Sequence, residues 1–324
     1  MAGAIVVSKL GGPEVLEWKE VDPGQPGAGE VLVRHTASGL NFIDVYHRTG
    51  LYPMELPFTP GVEGAGVVEA LGEGVDDLAV GDRVAYMGGG AGSYCELRVL
   101  PRATVYKLPD TIDNATAAAI MLKGATVEYL VRRTFPVKDG DWVLLHAAAG
   151  GVGLLASQWL KALGAHVIGT VGTDEKAELA KANGCEHTIL YRNEDVPARV
   201  REITDGRGVD VAYDSVGKAT FFGSLDSLRP RGMMVTFGNA SGPVEPIIPL
   251  ELAKRGSLFL TRPRVFDYYS KKEDADEGIA ALFDVVGSGK VKPYIGARYP
   301  LKDVGKAHAD LEARRTVGST VLEV

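Results

Sequence analysis

The segment LLHAAAGGVGLLASQ, Leu144 to Gln158, has the residue types and spacing to hold a large anion. An apolar run delivers the backbone to Gly150, Gly151 and Gly153, and a segment with helical spacing follows. Glycines let the main chain approach a pyrophosphate closely, while the unpaired N–H groups and dipole of a helix start favour its negative charge. A loop of this kind holds a dinucleotide, the usual carrier of hydride. Ala147 occupies the first position of the three-glycine spacing, so the glycines alone also fit a tight turn with no ligand. The flanking sequence separates the two readings. Val152, Leu155, Ala156, Trp159, Leu160 and Leu163 form one apolar helical face, Gly164 stops it, and HVIGTVG supplies a second strand. With the strand–helix–strand unit complete, the segment reads as a dinucleotide loop.

The end of that second strand bears on which dinucleotide. Chains that bind NAD usually place Asp or Glu about twenty residues beyond the glycines, against the ribose hydroxyls. Here the position falls on Gly172 and Thr173, which leave room for a 2′-phosphate, and Lys176 follows at the next helix start. This pattern favours NADPH over NADH; Asp174 and Glu175 also suit a first helical turn, where acidic side chains complement the dipole. Tyr191, after the third strand-like run, is placed to cover adenine or phosphate. The runs ending in DSVG (Asp214 to Gly217) and FGN (Phe237 to Asn239) put small residues at strand ends, where they are expected to line the nicotinamide half.

Metal chemistry finds little support. Cys95 and Cys185 are the only cysteines and the six histidines are dispersed, so neither a ligand cluster nor a disulfide framework is predicted. Two scattered thiols suit a reducing compartment, and the expected location is the cytoplasm. The N-terminus has no signal-peptide pattern and no apolar run approaches membrane-spanning length, so membrane insertion is not expected. A net charge of −7 gives no electrostatic footprint for nucleic acid.

These residues need a scaffold of roughly two domains, which 324 residues with 45% hydrophobic content can supply. To about residue 120 the chain has short β-rich runs broken by Gly and Pro. From Trp142 the runs WVLLHA, HVIGTV, HTILY, VDVAYDSV, GMMVTFG and SLFLTR alternate with helix-compatible stretches, the pattern of a doubly wound parallel sheet. After Arg262 helix and strand mix, and this ending is expected to fold back onto the first unit. The class is α/β: a β-rich domain over 1–125 and 263–324, and a Rossmann dinucleotide-binding domain over 126–262.

Several fragments together resemble one family: GGPEVL (Gly11 to Leu16), NFIDVYHRTGLYP (Asn41 to Pro53), PGVEGAGVVEALGEGV (Pro60 to Val75), GDRV (Gly81 to Val84), HAAAGGVG and FGNASG. The family is quinone oxidoreductase, the NADPH-dependent, zeta-crystallin-like branch of the medium-chain dehydrogenase/reductase superfamily. The resemblance implies a GroES-like catalytic domain completed by the C-terminal segment, a Rossmann domain, a cleft between them and a homodimer. In the zinc-dependent alcohol dehydrogenases of the superfamily a catalytic Cys falls at Asn41 and a His at Val62. Asp44 and Glu63 without those partners make a poor zinc site. A quinone accepts hydride without a Lewis acid more readily than an alkoxide gives it up, so the missing ligands point from alcohols to quinones.

Residue by residue, the resemblance puts Asn41, Phe42, Ile43, Asp44 and Tyr46 at the nicotinamide end and Lys123, Thr126 and Tyr129 on the interdomain side. It puts Gly151 and Val152 at the pyrophosphate, and Gly172, Thr173, Lys176 and Tyr191 around the 2′-phosphate. Ser215, Phe237, Gly238, Asn239 and Ser241 fall at the inner ribose, and Arg314 returns from the C-terminal segment to hold cofactor. Tyr46 and Tyr52, with Asn41, are the candidates for orienting a quinone oxygen. Two other functions stay open at this level: an NADPH-dependent reductase of conjugated enals or enones, and a non-catalytic NADPH- or RNA-binding protein. For the homodimer, Ser257 to Pro263 reads as the last strand of the sheet, an edge that must be paired or covered.

Overall fold

The computed structural model describes all 324 residues, Met1–Val324, as two compact units. The first comprises Met1–Lys123 and Pro293–Val324 and the second Gly124–Lys292.

The first unit is β-rich. Its main sheet runs in the order Ile295–Pro300, Ser319–Glu323, Glu30–Leu40, Glu63–Leu71, Arg83–Met87 and Val105–Lys107, with Leu97–Pro101 also paired to Glu30–Leu40. Val31 and Val33 point into one cluster with Val68, Val84, Tyr86, Leu100 and Val105. Side chains two apart on a strand share a face, so alternation along Glu30–Leu40 builds that core. The chain ending returns as expected: Thr320 to Glu323 pair antiparallel with Leu40 to Ala37. A second cluster joins Ile5, Leu40 and Tyr94 to Leu301, Val304, Ala307 and Leu322. Fully burying an aliphatic side chain of this size contributes about 1.5–3 kcal/mol, so the C-terminal segment is part of this unit's core.

The second unit is a six-stranded parallel sheet. Its strands stand in the order His187–Leu190, His166–Val171, Trp142–Leu145, Val209–Asp214, Leu228–Thr236 and Phe259–Thr261. The chain direction of strand addition reverses between Trp142–Leu145 and Val209–Asp214, the switch point at which such sheets bind ligands beyond their carboxyl ends. Every residue of Val209–Asp214 is buried, as a strand covered by helices on both faces requires. In the Gly151–Ala162 helix Leu154 is buried along with the predicted face, so this helix is covered more widely than its apolar spacing implied.

The first boundary falls at Lys123, close to the expected 125, but the second falls at Pro293 rather than 263. The displaced residues form the helices Val265–Tyr268 and Lys272–Gly287, which pack within the second unit. Tyr268 stacks on Tyr129 at 4.6 Å, and the Tyr269 hydroxyl donates to Glu128 at 2.8 Å. Arg132 and Arg133 bracket the same buried Glu128 and reach Glu277 and Asp274. No composition change at residue 263 marks that packing, because it depends on partners more than a hundred residues earlier. No helix is long and apolar enough to cross a membrane.

Candidate functional site

In the second unit the Trp142–Leu145 strand, held between two parallel neighbours, delivers the chain to the Ala147–Gly151 turn. Ala147 takes a left-handed conformation, φ 53°, at the position where glycine is usual. Gly153 has no latitude: a Cβ there would lie 2.3 Å from the Ala147 carbonyl oxygen and 2.6 Å from that of Ala148. The helix therefore sits directly on the turn. Its first N–H groups, around Gly151 and Val152, have no intrahelical acceptor and form an anion cradle.

Beside the cradle, the ends of the next two strands converge. A Cβ at Gly172 would stand 3.0 Å from Tyr191 Oη and 3.5 Å from Arg192 Nε, so these residues meet across a space that only glycine leaves open. Thr173 caps the Asp174–Ala182 helix, accepting from the Lys176 N–H at 3.4 Å. Its hydroxyl also bonds Glu175, which holds that carboxyl below its ordinary range. The structure thus brings together Gly172, Lys176 and Tyr191, assigns Thr173 to its own helix, and adds Arg192, which sequence reasoning missed although it adjoins Tyr191.

The loops after the fourth and fifth strands are bound to each other. Ser241 N–H donates to the Val216 carbonyl, and Ser241 Oγ donates to that carbonyl while accepting from Ala219 N–H. Ser241 is therefore a tie between loops. Phe237, Gly238, Asn239 and Ser215 line the same strand ends. Beneath them lies a polar layer that sequence reasoning also missed. Asp214 Oδ1 accepts from the N–H groups of Val216 and Gly217, and Oδ2 accepts from Thr220 and Ser224. His146 bridges Ser224 and Thr170 at 2.9 Å each. Burial pushes its pKa down, opposed by Asp214, so it is a neutral spacer that fixes both strand ends. Tyr129 is buried against Tyr268, a packing role different from the expected cofactor contact. Thr126 is half-buried on the same helix.

In the first unit Asn41 caps the Phe42–Thr49 helix through a reciprocal capping box with Asp44. The Asn41 side chain also donates to Glu63 Oε1 at 2.7 Å. Glu63 is fully buried and accepts in addition from Lys123 Nζ at 2.8 Å and the Leu122 N–H at 2.6 Å. Three donors around one carboxylate explain how a charge survives at the start of an apolar strand. Lys123, expected at the cofactor, is committed to this pair. Asp44 is the second buried carboxyl, and burial raises its pKa to about 7, against the lowering bonds from Tyr94 and Asn41. The aromatic rings of Phe42, Tyr46 and Tyr52 gather on one side, Tyr46 and Tyr52 5.1 Å apart edge to face. Ile43 is half-buried on the same turn. Arg314 is exposed just past the Val304–Glu312 helix, at a left-handed backbone position.

The donor set does not suit zinc. Asn41 presents a carboxamide already bound to Glu63, Val62 presents a buried isopropyl group, and no three His, Cys, Asp or Glu side chains group to hold a metal ion. The nicotinamide dinucleotide does fit: the cradle formed by the absent Gly153 side chain and the cationic opening at Gly172 match a pyrophosphate and a 2′-phosphate.

Comparison with known proteins agrees with this geometry. Residues 27–110 match the alcohol dehydrogenase GroES-like domain, and residues 151–284 match the zinc-binding dehydrogenase family. A quinone oxidoreductase from Pseudomonas aeruginosa is 50% identical, with 99% of each chain covered. A 2-haloacrylate reductase from a Burkholderia species is 47% identical over 99% of each. The crystal structure of Escherichia coli quinone oxidoreductase complexed with NADPH is 45% identical, covers 100% of each chain and superposes with a TM-score of 0.98.

Proposed function

We propose the following reading from a fixed premise: this chain belongs to the quinone oxidoreductases of the medium-chain dehydrogenase/reductase superfamily. It is an NADPH-dependent enzyme that reduces quinones. Full-length oxidoreductase relatives set aside the non-catalytic reading. NADPH supplies the hydride; the chain binds, orients and manages protons. The N–H groups around Gly151 and Val152 hold the pyrophosphate, and Lys176, Tyr191 and Arg192 take the 2′-phosphate beside Gly172. Ser215 and the Phe237–Ser241 loop contact the inner ribose, with Asp214 and His146 keeping both loops in register. Asn41, fixed by two carboxyls, faces the nicotinamide end, and Tyr46 and Tyr52 orient the acceptor carbonyl.

The observation that carries this reading is the pairing of an intact NADPH cradle with a metal position rebuilt from Asn41 and Val62. An acceptor whose carbonyl is activated by conjugation needs no Lewis acid, which favours quinones. NADPH oxidation against a panel of quinones and conjugated enals tests it. Quinone turnover should exceed enal turnover, and the reverse order would move the assignment to the enone reductase reading, for which the 2-haloacrylate reductase relative is the supporting observation.

The homodimer belongs to the same proposal. Phe259–Thr261 ends the parallel sheet and Phe259 is 57% exposed, so the edge invites a second copy. Light scattering at twice the chain mass supports it and a monomer refutes it. A cytoplasmic location, supported by two buried and unbridged cysteines, is checked by cell fractionation.

A further inference from the structure

Asp44 lies in the first turn of the Phe42–Thr49 helix with no exposed surface. Its Oδ2 accepts from the Asn41 N–H and the Tyr94 hydroxyl, both at 2.8 Å, whereas Oδ1 is buried and has no partner. The proton positions follow from one fixed donor. Arg48 is always protonated, so its Nη1, 3.1 Å from His308 Nδ1, donates there. His308 is neutral, held down to about 3 by burial and by the adjacent guanidinium. With Nδ1 accepting, its single hydrogen sits on Nε2, 3.4 Å from Tyr94 Oη. The tyrosine oxygen is thereby an acceptor for His308, and its own hydrogen goes to Asp44. Oδ2 receives two hydrogen bonds, so the acid proton of Asp44 resides on Oδ1, the oxygen left unpartnered.

The charges facing this carboxyl are largely compensated. Glu63 and Lys123 are paired at 2.8 Å, and Arg48 is paired with Glu312 at 2.8 Å. His308 is neutral, and burial also lowers the pKa of His47 on the same helix. Tyr94 is raised well above its ordinary value by burial and by Asp44, and it stays protonated. Desolvation therefore dominates at Asp44, and the group carries its proton through most of the neutral range.

The geometry points to Asp44 as the proton donor that completes reduction of the acceptor. The inference rests on the reading that Asn41 and this helix start face the nicotinamide end. A quinone gains two electrons with the hydride and is reduced as the cofactor is oxidised. The Asp44 Oδ1–H bond breaks, and an O–H bond forms on the acceptor, giving the hydroquinone. The carboxylate left behind is already held by the Tyr94 and Asn41 donors, which lowers the cost of its charge, and it regains a proton from water.

Asp44→Asn keeps an acceptor oxygen for both donors and removes the acid. For the wild type, kcat for quinone reduction is expected to fall as pH rises above about 7. In Asp44→Asn, kcat is expected to be lower by about 100-fold at pH 6 and flat with pH, with NADPH affinity within about twofold. Tyr94→Phe removes a donor that favours the carboxylate, so its limb moves to higher pH. An infrared titration of the free protein gives a readout independent of turnover. The wild type should show a carboxylic acid band lost between about pH 6 and 8, and Asp44→Asn should lack it. An unchanged pH limb in Asp44→Asn, or no such band in the wild type, overturns the assignment. Asn41→Ala separates the two failures. If it leaves both kcat and NADPH affinity intact, the site reading fails and the proposal with it. If it lowers kcat while Asp44→Asn keeps the wild-type profile, only Asp44 is misassigned.

Discussion

In the Gly124–Lys292 unit, Gly153 contributes by having no side chain, and a helix start and its turn make the cradle from backbone alone. In the other unit, Asn41, Glu63 and Lys123 contribute through what their side chains hold, in a buried cluster drawn from three separate stretches of chain. The two constructions fail differently. A backbone cradle is sensitive to added atoms and indifferent to charge, while a buried ionic cluster is sensitive to the loss of one partner.

Removing one charge from the cluster should give the largest effect. Glu63→Gln leaves the Lys123 ammonium buried without its counter-charge, and thermal or denaturant unfolding should record a loss of about 3–5 kcal/mol. The double variant Glu63→Gln with Lys123→Met should recover much of it. Asp44 should act in the opposite sense. Its folded pKa of about 7 lies above the ordinary carboxylate value, so its stabilising contribution is complete below about pH 4 and is lost as pH rises through 7. Asp44→Asn should therefore gain stability on the wild type between pH 4 and pH 8, by on the order of 3 kcal/mol; equal pH dependence of the two would contradict the buried, protonated carboxyl.

In the cradle, Gly153→Ala should weaken NADPH binding by about 100-fold in a fluorescence titration, because its Cβ meets two carbonyl oxygens rather than a flexible side chain. Lys176→Ala should cost about tenfold, on NADPH but not on NADH, since it removes a charge facing only the 2′-phosphate. The smallest effect should be a gain. Ala147→Gly relieves a left-handed alanine, and the strain of about 1–2 kcal/mol outweighs glycine's entropy, for a net of about 0.5 kcal/mol by unfolding.

The same contrast governs what the sequence disclosed. The cradle is local: strand, glycines, helix and the next strand end lie within one stretch, and their order and spacing give the dinucleotide loop and its NADPH preference. Arg192 escaped notice because its nearness to Gly172 is set by the pairing of two strands, which spacing does not encode. In the cluster, Asn41 and Val62 were readable as replacements for metal ligands, yet what Asn41 binds was not. Glu63 looks like an isolated charge in an apolar run until the chain folds Lys123 onto it. Tyr94, Arg48 and His308 carry no sequence signal at all, since the tautomer that links them depends on a contact between residues 260 positions apart. The late boundary at Pro293 has the same origin, in the packing around Glu128.

The central claim is that side chains and an activated acceptor replace a metal beside an NADPH cradle. It is tested most directly by following NADPH oxidation by a quinone in protein stripped with a strong chelator and verified metal-free by elemental analysis. The account predicts undiminished turnover with NADPH, and no gain when zinc is returned. Turnover that disappears on stripping and is restored by one equivalent of zinc would contradict it.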